Sequence, residues 1–464
     1  MKRALALALL ASLLCPVGPL EAADVETLVL STAEREGKAA PGYLKTWMDR
    51  DREWGARHRV LVQMAAGRIA FLRGDWPQAE ALLADAQHEV ESIYADNPQA
   101  KAARSVFVPE ATKDFKGDPY ERAMLGIYLG LIDLSHGDFD NARAGFRFAQ
   151  LQDTMSAAEQ YQDDMALAQY LVGWSYWCEG QRGNAAEEFE RARKLRPDLL
   201  PPQAGDDVLM LAELGAAPIK FRSGQFGELQ RMRAGAPSPM QQVAFRMEDT
   251  DGQSQLLQAA VAEDLLFQAS TRGGAAVDSI RAGKASFRSG AETLMQAGGG
   301  VSTLAFGAAT VAASTGRDSR ELAGVGVVAG LVAMAAKGVA SSTETLADVR
   351  YWPNLPEKIY LRTAKLPPGQ AVIETGFYSF SGKVQQGLKG QLRMSPRREC
   401  ALYISQSQDA TSRFDRSPAA RWPALPSLKP APGLANLEYL IAPDIGDEGE
   451  SLLDSVRKTR ETPR

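Results

Sequence analysis

The stretch YLVGWSYWCEGQRGNAAEEFERARKLRP, residues 170–197, decides the fold. Its small and aromatic residues fall at the spacing of two antiparallel helices. Gly173 and Ala185 let the helix axes approach closely, Gly180 ends the first helix, and Phe189 fills the gap between neighbours. Pro197 stops the second helix, since proline has no amide hydrogen to continue the ladder. The same stretch holds Tyr170, Trp174, Tyr176 and Trp177, in a chain with only seven tryptophans. Either these rings are core, or they line a surface that something occupies.

Two further segments carry the pattern at the same offsets. Gly130, Gly137, Ala142, Phe146 and Ala149 form one set, and Gly67, Gly74, Ala79, Leu83 and Ala86 the other. Three units in one register resemble the tetratricopeptide repeat, a helix-turn-helix unit. The aligned glycines stand 63 and 43 residues apart, against about 34 in a tight array. The resemblance therefore implies an irregular helical domain over 24–199, not an uninterrupted solenoid.

In such repeats the first helices line a concave groove. The positions facing it are Leu167, Tyr170, Trp174 and Trp177 in the third unit and Met124, Ile127, Leu131 and Leu134 in the second. In the first they are Leu61, Met64 and Phe71, with Arg68 the exception. Tyr176 takes a helix-packing position instead. A nearly continuous apolar stripe is rarely left in water. Its occupant is either the chain itself, through 95–120 or helices after 254, or the helix or peptide of a partner. Tyr170, Trp174, Trp177, Leu131 and Phe71 are the candidate protein-binding residues, with the rings of the third unit as natural anchors.

Beyond Pro201 and Pro202 the pattern changes. DDVLMLAELGAAPIKF, residues 206–221, reads as a strand, a turn at Gly215 and a second strand. Residues 225–253 show no period, and SQLLQAAVAEDLLFQAS, 254–270, reads as helix. Residues 291–347 read as a Gly/Ala-rich helical hairpin, with Ala305, Ala309 and Ala313 on one face and Gly326 and Gly330 on another. Its first helix, Met295–Ser314, is long enough to enter a membrane but weakly apolar. Strands return from Tyr351, and the segment after about 406 is Pro-, Ser- and Arg-rich, the composition of a largely disordered tail. The expected divisions are 1–22 signal, 24–199 helical domain, 200–270 strand pair, linker and helix, 271–349 hairpin, 350–405 small antiparallel β module and 406–464 tail. The fold class is α+β, mainly α.

Three stretches together, FKGDPYERAMLGIYLGL, VLMLAELGAAPIK and LADVRYWPNLPEKIYLRTAKLPPG, resemble a functionally uncharacterised family of bacterial cell-envelope proteins. Members carry signals, often as lipoproteins, and place tetratricopeptide-like helices before a strand-rich C-terminal part. The resemblance spans roughly 40–405, and its most specific element is the string Arg350-Tyr351-Trp352, Leu355-Pro356 and Leu366-Pro367-Pro368-Gly369. It implies location and no particular reaction.

The N-terminus, MKRALALALLASLLCPVGPLEAAD, has a basic head, an eleven-residue apolar run and a segment, Pro16–Ala23, that ends in small residues, the layout of a secretory signal cleaved after Ala22 or Ala23. Leu14 before Cys15 departs from a lipid-attachment site. A net charge of −5 with no basic run argues against nucleic acid. Cys178 and Cys400, far apart in dissimilar segments, do not read as a disulfide framework. His58, His88 and His136 lack legible partners for a metal or a triad, and IRAGKASF lacks the first glycine and the hydroxyl of a phosphate loop. Glu187 and Glu188 lie on a solvated helix face. No catalytic residue, metal ligand, cofactor or small-molecule substrate is expected. The expected function is a non-enzymatic, exported, periplasmic scaffold or adaptor that binds other envelope proteins. The alternative is a membrane-associated assembly component acting through the 291–347 hairpin.

Overall fold

The computed structural model describes residues 41–94, 113–154, 163–223, 229–248, 254–272, 347–367, 372–394, 399–407 and 415–428. The expected signal, 1–22, and residues 273–346 of the expected 271–349 hairpin lie outside the described residues.

The fold is α+β with helices predominating. After α1 (Lys45–Trp54) come three antiparallel pairs: α2 (Arg59–Arg73) with α3 (Trp76–Tyr94), α4 (Pro119–His136) with α5 (Phe139–Asp153), and α6 (Ala166–Cys178) with α7 (Arg182–Leu195). Local sequence sets their ends. Asp118 caps α4 in a capping box with Glu121, and Pro119 occupies the first turn, where its missing amide hydrogen costs nothing. Gly137 ends α4 with φ 77°, a left-handed conformation that glycine adopts without strain. Close packing explains the remaining small residues. A Cβ on Gly126 would lie 2.7 Å from the Gly145 carbonyl oxygen, and one on Gly130 2.8 Å from that of Ala142.

The strands form two five-stranded sheets and a ribbon. One sheet has the order β10 (Arg393–Met394), β11 (Ala401–Gln406), β1 (Val208–Leu214), β7 (Lys358–Ala364), β6 (Ala260–Asp264). The other runs β12 (Asp415–Arg416), β9 (Val384–Gln391), β8 (Val372–Tyr378), β4 (Gln242–Glu248), β5 (Ser254–Gln258). The ribbon pairs β2 (Ile219–Ser223) with β3 (Leu229–Arg233). The chain bends from one sheet into the other at Ala259, between β5 and β6, and again between β9 and β10. Both sides are thus joined, and the two sheets enclose a core of Val208, Met210, Phe245, Ile373, Phe377 and Tyr403.

Several expectations are corrected. Residues 254–264 are two strands rather than a helix; only α8 (Leu265–Arg272) is helical there. Ala, Leu, Gln and Glu favour helices in isolation, but pairing of β5 with β4 and of β6 with β7 overrides that preference. Residues 225–253, without legible period, supply β3 and β4. The β structure draws on segments before residue 273 and after residue 346 and is larger than a small module over 350–405. It includes one parallel pair, β1 with β11, which the long intervening chain permits. Part of the stretch read as tail is built in: Trp422 packs on the second sheet, where a Cβ on Gly376 would lie 2.6 Å from its ring.

Cys178 and Cys400 form a disulfide across 222 residues, contrary to the sequence reading. It joins the end of α6 to the residue before β11. Spacing carries no sign of it, because the two cysteines meet only when the sheet docks on the helices.

Candidate binding cleft

The helical groove is occupied. Inner faces of α2, α4 and α6 share one continuous core with Leu209 and Leu211 of β1, Ile359 and Leu361 of β7, and Leu402 and Ile404 of β11. Alternation along β1 turns Leu209, Leu211 and Glu213 to the helices and Val208, Met210 and Ala212 to the other sheet, so every residue of this strand is buried. Phe71, Tyr170 and Trp174 are 0% exposed and Leu131 2%. These four candidate anchors are therefore core side chains, out of reach of a partner. The occupant of the groove is chiefly the sheet; of the segments expected there, α8 packs against α4 and β3. Trp177 stays partly buried. Its indole Nε1 donates to the Asp206 carbonyl oxygen at 2.8 Å, and the Arg182 guanidinium lies 3.5 Å from its ring centroid.

Polar groups fix the sheet in the groove. Arg68, the exception in the apolar stripe, donates through Nε to Tyr128 Oη at 2.9 Å and forms a buried ion pair with Glu213. Tyr128 Oη in turn donates to Glu213 at 2.6 Å. Glu121 accepts from Lys220 Nζ of β2 at 2.8 Å and from the Trp352 amide at 2.5 Å. Asn354 Nδ2 donates to the Ala65 carbonyl at 2.9 Å, and Arg350 to the carbonyls of Arg57 and Lys113 at 3.0 and 2.7 Å. The Arg350-Tyr351-Trp352 string is thus a strap across α2 and α4. Glu263 of β6 sits at the start of α6, accepting from the Leu167 amide at 3.4 Å and from Gln268 Nε2 at 2.9 Å. Burial pushes its carboxyl up to about 7, against the smaller opposing effect of Arg196. Among the described residues, no three metal-ligating side chains converge.

With the groove filled, an open site lies at the corner where β5 passes into β6. A cavity of about 370 Å³ opens between the loop after α7 and the two sheets, lined by Leu200, Gln241, Gln258, Val261, Arg362 and Leu428, among others. Leu200 is 54% exposed and Leu428 40%, two of the five large hydrophobic side chains that stand out in solvent among the described residues. A third, Phe380, accepts through its carbonyl from the Leu428 amide at 2.9 Å. Fixed polar groups frame the cavity. Tyr360 Oη donates to the Gln241 carbonyl at 2.7 Å, Tyr170 Oη to the Leu200 carbonyl at 3.0 Å, and Thr363 Oγ1 to Asp206 at 2.9 Å. Burial holds Tyr360 well above the usual phenol range, so it stays a neutral donor.

Tyr170 apart, none of these residues was singled out by sequence reasoning. Leu200 is followed by Pro201 and Pro202, which make a stiff surface loop, and Leu428 lies in a segment with tail-like composition. One signal was legible. In KIYLRTA the alternation places Arg362 on the same face as Tyr360 and Ala364, where an apolar residue belongs.

Comparison with protein-family models, curated proteins and solved structures finds no match.

Proposed function

We propose that the chain is an exported, non-enzymatic adaptor of the cell envelope that binds other envelope proteins at the corner cleft instead of the helical groove. Export is supported by the signal layout of the N-terminus and by the Cys178–Cys400 bond, of a kind rare where cellular thiols are kept reduced. The helices serve as a rigid cradle for the sheet. The single observation that carries the reading is that half-exposed Leu200 and Leu428 line one cavity, while the apolar stripe of the groove is buried. Large apolar side chains held in water beside a concave surface mark an interaction site.

The test is in-cell photo-crosslinking from position 200, with position 151 as comparator. Leu151 on α5 is 57% exposed but does not line the cleft. Adducts with another envelope protein from position 200 and none from 151 are expected. No adduct from 200, or the same adducts from both positions, would remove the reading.

A further inference from the structure

We propose that the corner cleft takes an extended segment of a partner protein, which adds to the open end of β7 and brings a carboxylate to Arg362. The inference rests on the adaptor reading and names the chemistry of its ligand. On one side β7 pairs with β1 as far as Ala364. On the other its pairing with β6 stops at Leu361, opposite Ala260, because the chain there turns away into the second sheet. Arg362, Thr363 and Ala364 therefore have no neighbouring strand on that side among the described residues. Such an edge presents backbone donors and acceptors that an extended peptide can match. The cleft lies along this edge, with Leu200 and Leu428 flanking it to receive apolar side chains.

Arg362 supplies the charge preference. Its Nε is buried without a hydrogen-bond partner, and no described carboxylate forms an ion pair with it. Two fully buried arginines of this protein meet acids, Arg68 with Glu213 and Arg350 with Asp348, while Arg122 is held by Gln152 and the Gly117 carbonyl. A guanidinium left with an unmatched donor favours an incoming carboxylate, which it binds with charge-assisted hydrogen bonds. An alternating aliphatic and acidic strand satisfies the edge, the leucines and the arginine together.

The experiment selects a phage-displayed library of random peptides on the full chain, then measures one synthetic winner against variants. Winners should combine Asp or Glu with aliphatic residues. Arg362→Gln should weaken binding about ten- to a hundredfold, with Arg362→Lys in between. Leu200→Asp, at an exposed position, provides a second loss that does not disturb the core. Winners without acidic residues, or binding indifferent to both Arg362→Gln and Leu200→Asp, would overturn the proposal. So would a cleft filled by a second copy, seen as a dimer that Leu200→Asp disperses, or by the chain's own residues 429–464, seen as binding that appears only on their deletion. Position-200 adducts in cells with partners whose capture ignores Arg362→Gln would leave the adaptor reading standing and this inference refuted.

Discussion

Arg68 on α2 and Glu213 on β1, 145 residues apart, form an ion pair whose side chains are 0% and 3% exposed. It lies where the first sheet enters the helical groove, and Tyr128 of α4 bonds to both partners. Two charges removed from water at an interface of this kind bring little net stability but penalise any other docking, because each would be left unpaired.

Breaking the pair from one side should therefore cost far more than removing it whole. Arg68→Met is expected to destabilise by about 3–5 kcal/mol, leaving Glu213 buried without its counter-charge. Adding Glu213→Leu should recover much of that loss. Urea unfolding of both single variants and the double variant measures the coupling; additive losses would show that the residues do not meet.

The disulfide should contribute to stability by restricting the unfolded chain, an effect that grows only logarithmically with the loop it closes. Cys400→Ser, or reduction, is expected to lower unfolding free energy by about 2–4 kcal/mol. The unfolding midpoint in urea with and without reductant reads this directly, and an unchanged midpoint would show that no bond had formed.

Glycines facing backbone should tolerate a methyl group less well than those facing a side chain. A Cβ on Gly126 would meet the Gly145 carbonyl oxygen at 2.7 Å, whereas one on Gly67 meets the Leu83 side chain at 2.7 Å, which can rotate. Gly126→Ala should cost about 1–3 kcal/mol, and Gly67→Ala less. Thermal unfolding of the two variants ranks them.

Glu263 should give the protein a pH-dependent stability of definite sign. Its folded carboxyl titrates at about 7 against a reference of 4.5, so the native state holds the proton more tightly. This contribution is present below about pH 4.5 and is lost as pH rises to about 7, with an upper size of about 3 kcal/mol. Asp133, raised to about 6 by burial and the charges of Glu80 and Asp138, acts in the same direction. His58, lowered to about 4 by burial, acts oppositely, adding stability as pH rises from about 4 to 6.5. The difference between wild type and Glu263→Gln isolates the first effect: wild type should lose stability relative to the variant between pH 5 and 7. A pH-independent difference would place Glu263 elsewhere.

The sequence carried the helices clearly and the sheets poorly, for a physical reason. Helix pairs are held by local spacing, as with Gly130 against Ala142 and Phe146, so their signal sits within one short window. The strands are held by partners far away: β1 lies between β7 and β11, both more than a hundred residues distant. Ala260–Asp264 thus kept a helical appearance that its pairing with β7 overrules. The groove stripe was legible, but its occupant was not, although Arg68 within the stripe and Glu213 within an otherwise apolar strand were two halves of one clue. The cleft was least legible of all, since Leu200, Arg362 and Leu428 come from three separate segments.

The most direct test of a groove closed by its own sheet is peptide mapping, under non-reducing conditions, of the protein produced in an oxidising compartment. Cys400 immediately precedes β11, whose Leu402 and Ile404 lie in the groove core, while Cys178 ends the helix that carries Tyr170 and Trp174. The expected result is a single linked pair of peptides containing Cys178 and Cys400. Two free thiols in protein from an oxidising compartment, or either cysteine bonded to a different chain, would contradict the closed groove and make Tyr170, Trp174 and Trp177 binding residues again.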